Sequence, residues 1–284
     1  MTTTKEAVWK AGLKTTILLA SLAGLLVAIG FLIGGPGTAA VFLVIAIIIN
    51  FFSYFFSDKI ALKMNRAQPA SREQQPQLYA DIEELATRAG LPMPRVYIVQ
   101  SAQANAFATG RNPRHAAVAV TSAIMTQLSN DELKGVLAHE LSHIKHYDIL
   151  ISSVAAAIGA CISYVAYILL WVSDDNSPVG VIASLAAWIL APIAASIIQM
   201  AVSRQREFAA DSASAQLTGN PEWLASALLR LEESSKAAPM KVNHATEPLY
   251  IIKPFSGKGI AGLFNSHPPT SERIRRLREI RPSL

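Results

Sequence analysis

Cysteine and charged residues are both scarce in this sequence. The chain of 284 residues has a single cysteine, Cys161, which excludes an intramolecular disulfide and a metal site built from several thiolates. Charged residues make up 16% of the chain, whereas soluble domains average roughly 25%. Hydrophobic residues reach 51%, and the mean hydropathy is +0.32. The shortage of charge and the excess of apolar residues together predict a membrane protein.

Lysine and arginine runs interleaved with aromatic residues are also missing. The net charge is nevertheless +5, and the isoelectric point is near 9.3. A basic balance is typical of proteins that contact nucleic acid or an anionic membrane surface. Because the basic residues form no such run, we favour the membrane and expect no nucleic acid partner.

Four apolar stretches are long enough to cross a bilayer, which requires ~20 residues of helix. They cover residues 14–33, 38–56, 149–172 and 179–202, and none has a charged residue in its interior. The first stretch is too long for the core of a signal peptide, and another apolar stretch follows it after a tight turn. The last two contain several serines and Gln199, so an alternative is that they form a buried hairpin.

Basic residues flank these stretches on one side only. The short connections, residues 34–37 and 173–178, contain no lysine or arginine, whereas the other flanks are basic. The positive-inside rule therefore predicts that both termini and the middle segment are cytoplasmic. The chain then divides into a transmembrane hairpin, half of a soluble domain, a second hairpin and the other half of that domain, at residues 1–57, 58–148, 149–202 and 203–284.

The soluble halves show patterns of both helices and strands. A helix is predicted over 74–89, and β-branched or alternating residues predict three short strands at 95–99, 104–109 and 116–121. Ser129 and Glu132 form a capping box that starts a helix, and no stop signal precedes the third apolar stretch. We therefore expect one continuous helix from residue 130 into the membrane. Further helices are predicted over 221–236 and after residue 269, with a loop at 237–262 between them.

The strongest chemical signal is His139-Glu140-Leu141-Ser142-His143, which matches H-E-x-x-H. Positions four apart share one helix face, so both imidazoles can bind one Zn²⁺ at ~2.0–2.1 Å. Zinc lowers the pKa of a bound water to about 7. Glu140 is placed to take a proton from that water and to pass it to the leaving amine.

A catalytic zinc needs a third protein ligand and keeps its fourth position for water. Glu207 is the candidate, because it follows the fourth stretch just as His143 precedes the third, at the same membrane surface. Asp211 lies four residues later on the same helix face and can accept the second N–H of a zinc-bound imidazole. Two histidines and one carboxylate can also hold iron, but the helical motif with its glutamate base favours one zinc ion per chain.

Four ordered motifs resemble those of the HtpX family, which are bacterial membrane zinc metalloproteases related to the CaaX prenyl proteases. They are Asn105-Ala106-Phe107-Ala108, His139-Glu140-x-x-His143, Glu207-Phe208-x-Ala210-Asp211 and His267-Pro268-x-x-x-x-Arg273-Ile274. The resemblance extends over nearly the whole chain. It implies a mainly α membrane protein with four transmembrane helices and a discontinuous α+β, zincin-like catalytic domain that contains a small β-sheet.

The resemblance also implies a role for each of these residues. His139, His143 and Glu207 would bind zinc, Glu140 would be the general base, and Asp211 would support a ligand. His267 would stabilise the oxyanion, Arg273 would support that region, and Asn105 would lie beside a substrate-binding edge strand. Substrates would be unfolded or damaged proteins, especially membrane proteins, in quality control at the cytoplasmic face of the inner membrane. A prenyl substrate is not implied, because this chain has only four predicted spans.

Two other functions stay open from the residues alone. One is a zinc hydrolase that acts on a lipid-linked or amphipathic substrate, since the zinc motif is the same. The other is a scaffold with a structural zinc, which is less favoured because structural sites usually have four protein ligands. The sequence gives no indication of the oligomeric state.

Overall fold

The computed structural model describes residues 4–172, 204–238, 249–251 and 268–280. The predicted fourth span at 179–202, His267 and most of the predicted loop at 237–262 lie outside the described residues. The described helices are α1 Thr4–Met64, α2 Pro76–Ala89, α3 Ile124–Gln127, α4 Asn130–Lys145, α5 Asp148–Val172, α6 Arg204–Thr218, α7 Pro221–Ala237 and α8 Thr270–Glu279. The strands are β1 Gln68–Pro69, β2 Arg95–Val99, β3 Ala106–Thr109 and β4 Ala117–Thr121.

Helix α1 consists of two helices joined at a break. Gly34 and Gly35 have non-helical torsions, and Gly35 has φ 68°, a conformation that glycine adopts without a steric penalty. Pro36 follows, where the first turn of a helix tolerates its missing N–H. The two parts contain the candidate membrane spans Trp9–Ala28 and Gly34–Met64. Two of the four predicted spans are therefore found as apolar helices of sufficient length.

The third predicted span begins as a helix that packs against α1. Among the described side chains, Ile151, Val154 and Ile158 of α5 pack in one buried apolar cluster with Leu18, Leu22 and Leu26 of α1. Its apolar stretch among the described residues, Asp148–Gly159, is shorter than a span. The third and fourth spans remain predictions.

The predicted continuous helix from residue 130 into the membrane is wrong. The start is confirmed, because Ser129 and Glu132 each accept a hydrogen bond from the other's backbone N–H. However, α4 ends at Lys145, and α5 starts at Asp148. Tyr147 between them has φ 62°, which is uncommon for a residue other than glycine. The break carries no glycine or proline, so the usual stop signals are missing from the sequence.

The sheet has one more strand than the sequence predicts. Its order is β1-β2-β4-β3, with β2 and β4 parallel and the two outer pairings antiparallel. The extra strand, β1, has two residues and is too short to show a pattern. Strand β3 lies at one edge, beside α4, and this edge faces the candidate site.

Close packing holds α4 against α7 at Gly135. A Cβ atom added there would lie 2.7 Å from the backbone nitrogen of Leu224 and 2.9 Å from the carbonyl carbon of Trp223. Ser214 of α6 donates to the Gly135 carbonyl at 2.7 Å, so three helices meet at this residue. The glycine sets how closely α6 and α7 approach the helix that carries the H-E-x-x-H motif.

Replacing Gly135 with alanine is expected to destabilise the protein. Overpacking costs about 1–3 kcal/mol, more than the about 1 kcal/mol that alanine gains in a helix, and backbone atoms cannot rotate away. Thermal unfolding in detergent measures the change. Gly24→Ala is the matched control, because a Cβ there meets nothing within 4 Å. Equal melting temperatures for the two variants would contradict the proposed contact.

Candidate metal centre

Helices α4 and α6 bring three possible metal ligands together. His139 and His143 lie one helical turn apart on α4, and Glu207 lies in the first turn of α6. Each residue offers one ligand atom, and these three atoms all lie within 4.8 Å of one another. The sequence therefore predicted correctly that segments 64 residues apart meet here.

The distances between the three groups are close to the spacing of ligands around one metal ion. The Nε2 atoms of His139 and His143 are 3.2 Å apart. Glu207 Oε1 lies 3.5 Å from His143 Nε2, and Glu207 Oε2 lies 3.8 Å from His139 Nε2. Ligands at ~2.0–2.1 Å from a tetrahedral zinc are about 3.3 Å from each other. The donor set fits a metal ion of this kind without rearrangement of the helices.

Each histidine has a carboxylate beside its other ring nitrogen. Asp211 Oδ1 lies 3.0 Å from His139 Nδ1, although the ring N–H is not aligned with that oxygen. Asp148 Oδ2 lies 3.3 Å from His143 Nδ1, and Arg206 donates to the other oxygen of Asp148 at 3.1 Å. Because the Nδ1 sides face these carboxylates, the Nε2 atoms of both histidines face each other and Glu207. Asp211 was predicted, whereas Asp148 was missed because its position depends on the break at Tyr147.

Arg273 of α8 links several parts of the centre. It is 1% exposed and donates to both oxygens of Asp211, from Nε at 2.9 Å and from Nη2 at 2.7 Å. Its Nη2 atom is also 3.5 Å from Nε2 of His139. Its Nη1 atom donates to the carbonyl of Ile251 at 3.1 Å. The structure therefore places Arg273 beside the candidate metal ligands, while its predicted support of the His267 region stays a prediction.

The buried charges of the centre do not balance by themselves. Glu140, Glu207 and Asp211 are three buried carboxylates, while Arg273 is the one buried guanidinium in contact with them among the described residues. When all four are ionised and both imidazoles are neutral, as metal ligands must be, negative charges exceed positive charges by two. Asp148 is already paired with Arg206. Buried charge is costly unless it is neutralised, so this site favours a divalent cation.

The same burial shifts the pKa values of the site. Burial lowers the pKa of His139 to about 4, which keeps its imidazole neutral as a ligand must be. Burial acts in the same direction on His143, but the carboxylates of Asp148, Glu207 and Glu140 raise its pKa to about 9. Burial raises the pKa of Glu140 to about 7. A group with this pKa can both accept and donate a proton near neutral pH.

Glu140 and Asn105 are the other described residues that the sequence singled out. The Glu140 side chain is buried, and the backbone of Ala108 in β3 favours its charged form by lowering the pKa. Asn105 is fully buried just before β3, and its Oδ1 accepts from the N–H of Ala106 at 3.0 Å. It therefore lies beside the edge strand, as predicted. His267 lies outside the described residues, so its role remains a prediction.

The outer edge of β3 is partly paired with another segment, which the sequence did not predict. Tyr250 forms an antiparallel bridge with Phe107, and the N–H of Ile251 donates to the Ala106 carbonyl at 3.1 Å. These residues come from the predicted loop at 237–262. Three residues are too few to show the alternation of apolar and polar side chains that identifies a strand.

Comparison with known proteins identifies the family. Residues 72–281 match peptidase family M48. A "Protease HtpX homolog" of Pelotomaculum thermopropionicum is 49% identical over 273 residues, which cover 93% of this chain and 97% of the relative. Another from Thermococcus kodakarensis is 46% identical over 276 residues, covering 94% and 95% of the two chains.

A solved structure shares the fold. The crystal structure of S. mikatae Ste24p aligns with a TM-score of 0.50 and 20% sequence identity, covering 95% of this chain and 66% of that chain. The family match covers the candidate metal ligands, and the HtpX relatives cover nearly the whole chain. This chain therefore belongs to peptidase family M48 and, within it, to the HtpX proteases.

Proposed function

We propose that this chain is an integral membrane zinc endopeptidase that hydrolyses peptide bonds of unfolded or damaged proteins, including membrane proteins. The observation that carries this proposal is the convergence of His139, His143 and Glu207 beside the buried Glu140. Membership of a peptidase family favours peptide hydrolysis over hydrolysis of a lipid-linked substrate. Three protein ligands with a neighbouring base also favour a catalytic metal over a structural one.

His139, His143 and Glu207 would hold the zinc ion, which when bound supplies an activated water and polarises the scissile carbonyl. Glu140 takes a proton from the attacking water and delivers it to the leaving amine. Asp211 and Arg273 are positioning residues, because Asp211 orients His139 while Arg273 holds Asp211. His267 is proposed to stabilise the oxyanion of the tetrahedral intermediate, and Asn105 to fix the start of the strand that receives the substrate.

The site is proposed to face the cytoplasmic surface of the bacterial inner membrane. His143 lies five residues before Asp148, where α5 begins, and α5 packs against a helix pair with two candidate spans. The basic flanks of the apolar stretches support the cytoplasmic orientation. Two transmembrane hairpins, at 1–57 and 149–202, would then anchor one catalytic domain formed by residues 58–148 and 203–284.

The proposed substrates follow from how an edge strand binds peptides. A peptide that adds to β3 must be extended, so its own secondary structure must be lost locally. Unfolded or damaged proteins meet this requirement, and a site close to the bilayer gives access to membrane proteins. The role in membrane protein quality control is proposed on this basis and on the family resemblance.

The experiment measures metal content and cleavage on the same purified protein. The protein in detergent is stripped with a chelator, and cleavage of an unfolded protein is followed before and after Zn²⁺ is restored. We expect about one zinc per chain and cleavage only after zinc is restored. Cleavage by the stripped protein would contradict the metal dependence. Zinc binding without cleavage of any unfolded protein would contradict the endopeptidase function.

A further inference from the structure

The segment Leu249–Ile251, called the strap below, adds to the outer edge of β3. Ala106 and Ala108 direct their backbone groups away from β4 at this edge, since backbone direction alternates along a strand. The carbonyl of Ala106 accepts from Ile251, and Tyr250 lies opposite Phe107 in antiparallel register. An extended peptide that added to β3 would use the same edge.

The strap also contacts the residues of the metal centre. Arg273 donates to the Ile251 carbonyl at 3.1 Å, and the same guanidinium lies 3.5 Å from Nε2 of His139. Ala108, on the same edge, lies close enough to Glu140 for its backbone to lower the pKa of that carboxyl. The strap backbone therefore lies between the edge strand and the guanidinium next to a candidate metal ligand. An extended peptide that added to the same edge would run past the same guanidinium.

The Tyr250 side chain fills a pocket of defined shape and chemistry. It is fully buried, and its ring lies 4.9 Å from that of Phe107 at an angle of 65°. Its hydroxyl donates to Asn65 Oδ1 at 3.0 Å. The apolar surroundings include Ala61, Leu62 and Ala156, which belong to the same cluster. The pocket thus takes a planar aromatic ring and places one acceptor at its far end.

We propose that the strap is an internal competitor for substrate, and that the pocket that holds Tyr250 receives an aromatic side chain of the substrate when the strap leaves. This inference rests on the proposed function, because the groove is taken to serve peptide hydrolysis. The strap pairs with β3 through one bridge, whereas a longer extended substrate makes more backbone hydrogen bonds along the edge. A substrate with an aromatic residue opposite Phe107 replaces the ring contacts that the strap loses, and a tyrosine also replaces the hydrogen bond to Asn65.

Peptide binding tests the competition without relying on cleavage. The full chain with Glu140→Gln and bound zinc is titrated in detergent with a fluorescent peptide that contains one phenylalanine, and anisotropy gives its Kd. Tyr250→Ala empties the pocket, and Ile251→Pro removes the N–H that bonds to Ala106. We expect each to tighten binding on the order of tenfold, or 1.4 kcal/mol.

Tyr79→Ala is the matched control, since this tyrosine also donates its hydroxyl to a neighbouring group, the Ala70 carbonyl at 2.8 Å, but does not belong to the strap cluster. The peptide should bind Tyr79→Ala with the same Kd as the protein in which the strap is unaltered. Unchanged or weaker binding in both strap variants would overturn the competition and show that the strap is a permanent strand of the sheet.

The pocket is tested with two peptides that differ only by phenylalanine or alanine at one position. In Tyr250→Ala, we expect the phenylalanine peptide to bind about tenfold more tightly than the alanine peptide, or 1.4 kcal/mol. With the strap intact, the difference should be smaller, because Tyr250 fills the pocket. Equal affinities in Tyr250→Ala would overturn the pocket's role in specificity.

The proposed function and this inference fail in different ways. If the chain with Glu140 intact binds peptide and zinc but cleaves nothing, the endopeptidase function is overturned while the competition stands. If it cleaves and the strap variants bind no more tightly than the Tyr79→Ala control, only the inference is overturned. Absence of peptide binding in every variant would overturn both.

Discussion

Glu140→Gln is expected to abolish measurable cleavage while leaving zinc bound. Glutamine has the same shape but cannot accept a proton, and loss of a general base alone lowers kcat by about 10²–10⁴-fold. The ligand set is untouched, because Glu140 is not among the three converging groups. The variant also removes a buried carboxyl whose pKa burial has raised to about 7, so no loss of stability is expected.

The measurement is kcat for an unfolded protein substrate together with zinc content per chain. Glu233→Gln serves as the control, because this glutamate is exposed on α7 and lies outside the centre. It should keep both the rate and the metal. Cleavage by Glu140→Gln at more than about a tenth of the normal rate would exclude Glu140 as the base. Loss of zinc would instead make Glu140 part of the metal site.

Asp211→Asn is expected to lower both the stability and the zinc affinity. Arg273 is 1% exposed, and its guanidinium would keep a buried charge without its partner. Breaking a buried ion pair in this way costs about 3–5 kcal/mol. Zinc affinity should fall about 10–100-fold, because Asp211 also contacts the Nδ1 side of His139 and holds it in orientation.

The double variant Asp211→Asn with Arg273→Met separates the two effects. Removing both charges leaves neither partner of this ion pair unpaired, so the loss in free energy of unfolding should be smaller than the sum of the losses in the two single variants. Zinc affinity, measured by competition with a chelator, should stay low, because His139 still lacks its carboxylate. Arg278→Gln is the control: its pair with Glu222 is solvent-exposed, and both quantities should stay unchanged. Additive losses in the double variant would contradict the coupling.

Much of the chemistry of the site follows from local rules. The i, i+4 spacing of His139 and His143 needs only a helix, and the Ser129 capping box defines where that helix begins. The approach of Glu207 was also predictable, since one segment precedes and the other follows a pair of apolar stretches that are predicted to form a hairpin. Asp211 followed from its spacing to Glu207. The structure brings these residues together because each placement depends on helix geometry or hydropathy alone, while their roles stay predictions.

Other features depend on contacts between distant segments. Asp148 reaches His143 because the helix is interrupted at Tyr147, which has a positive φ. No glycine or proline in the sequence indicates this interruption. The strap pairs with β3 through three residues whose position depends on Arg273, Asn65 and Phe107. Such short pairings have too little periodicity to be read from sequence, since their stability comes from the partner surface.

The sequence by itself determined which residues are the candidate ligands and base and where two apolar helices lie, because helix period, motif spacing and hydropathy are properties of neighbouring residues. Only the tertiary structure decided which carboxylate supports which histidine, how the buried charges add up, and what lies on the edge strand. Those features arise where residues far apart in the chain share a low-dielectric interior, and there each charge and hydrogen-bonding group must find its partner through folding.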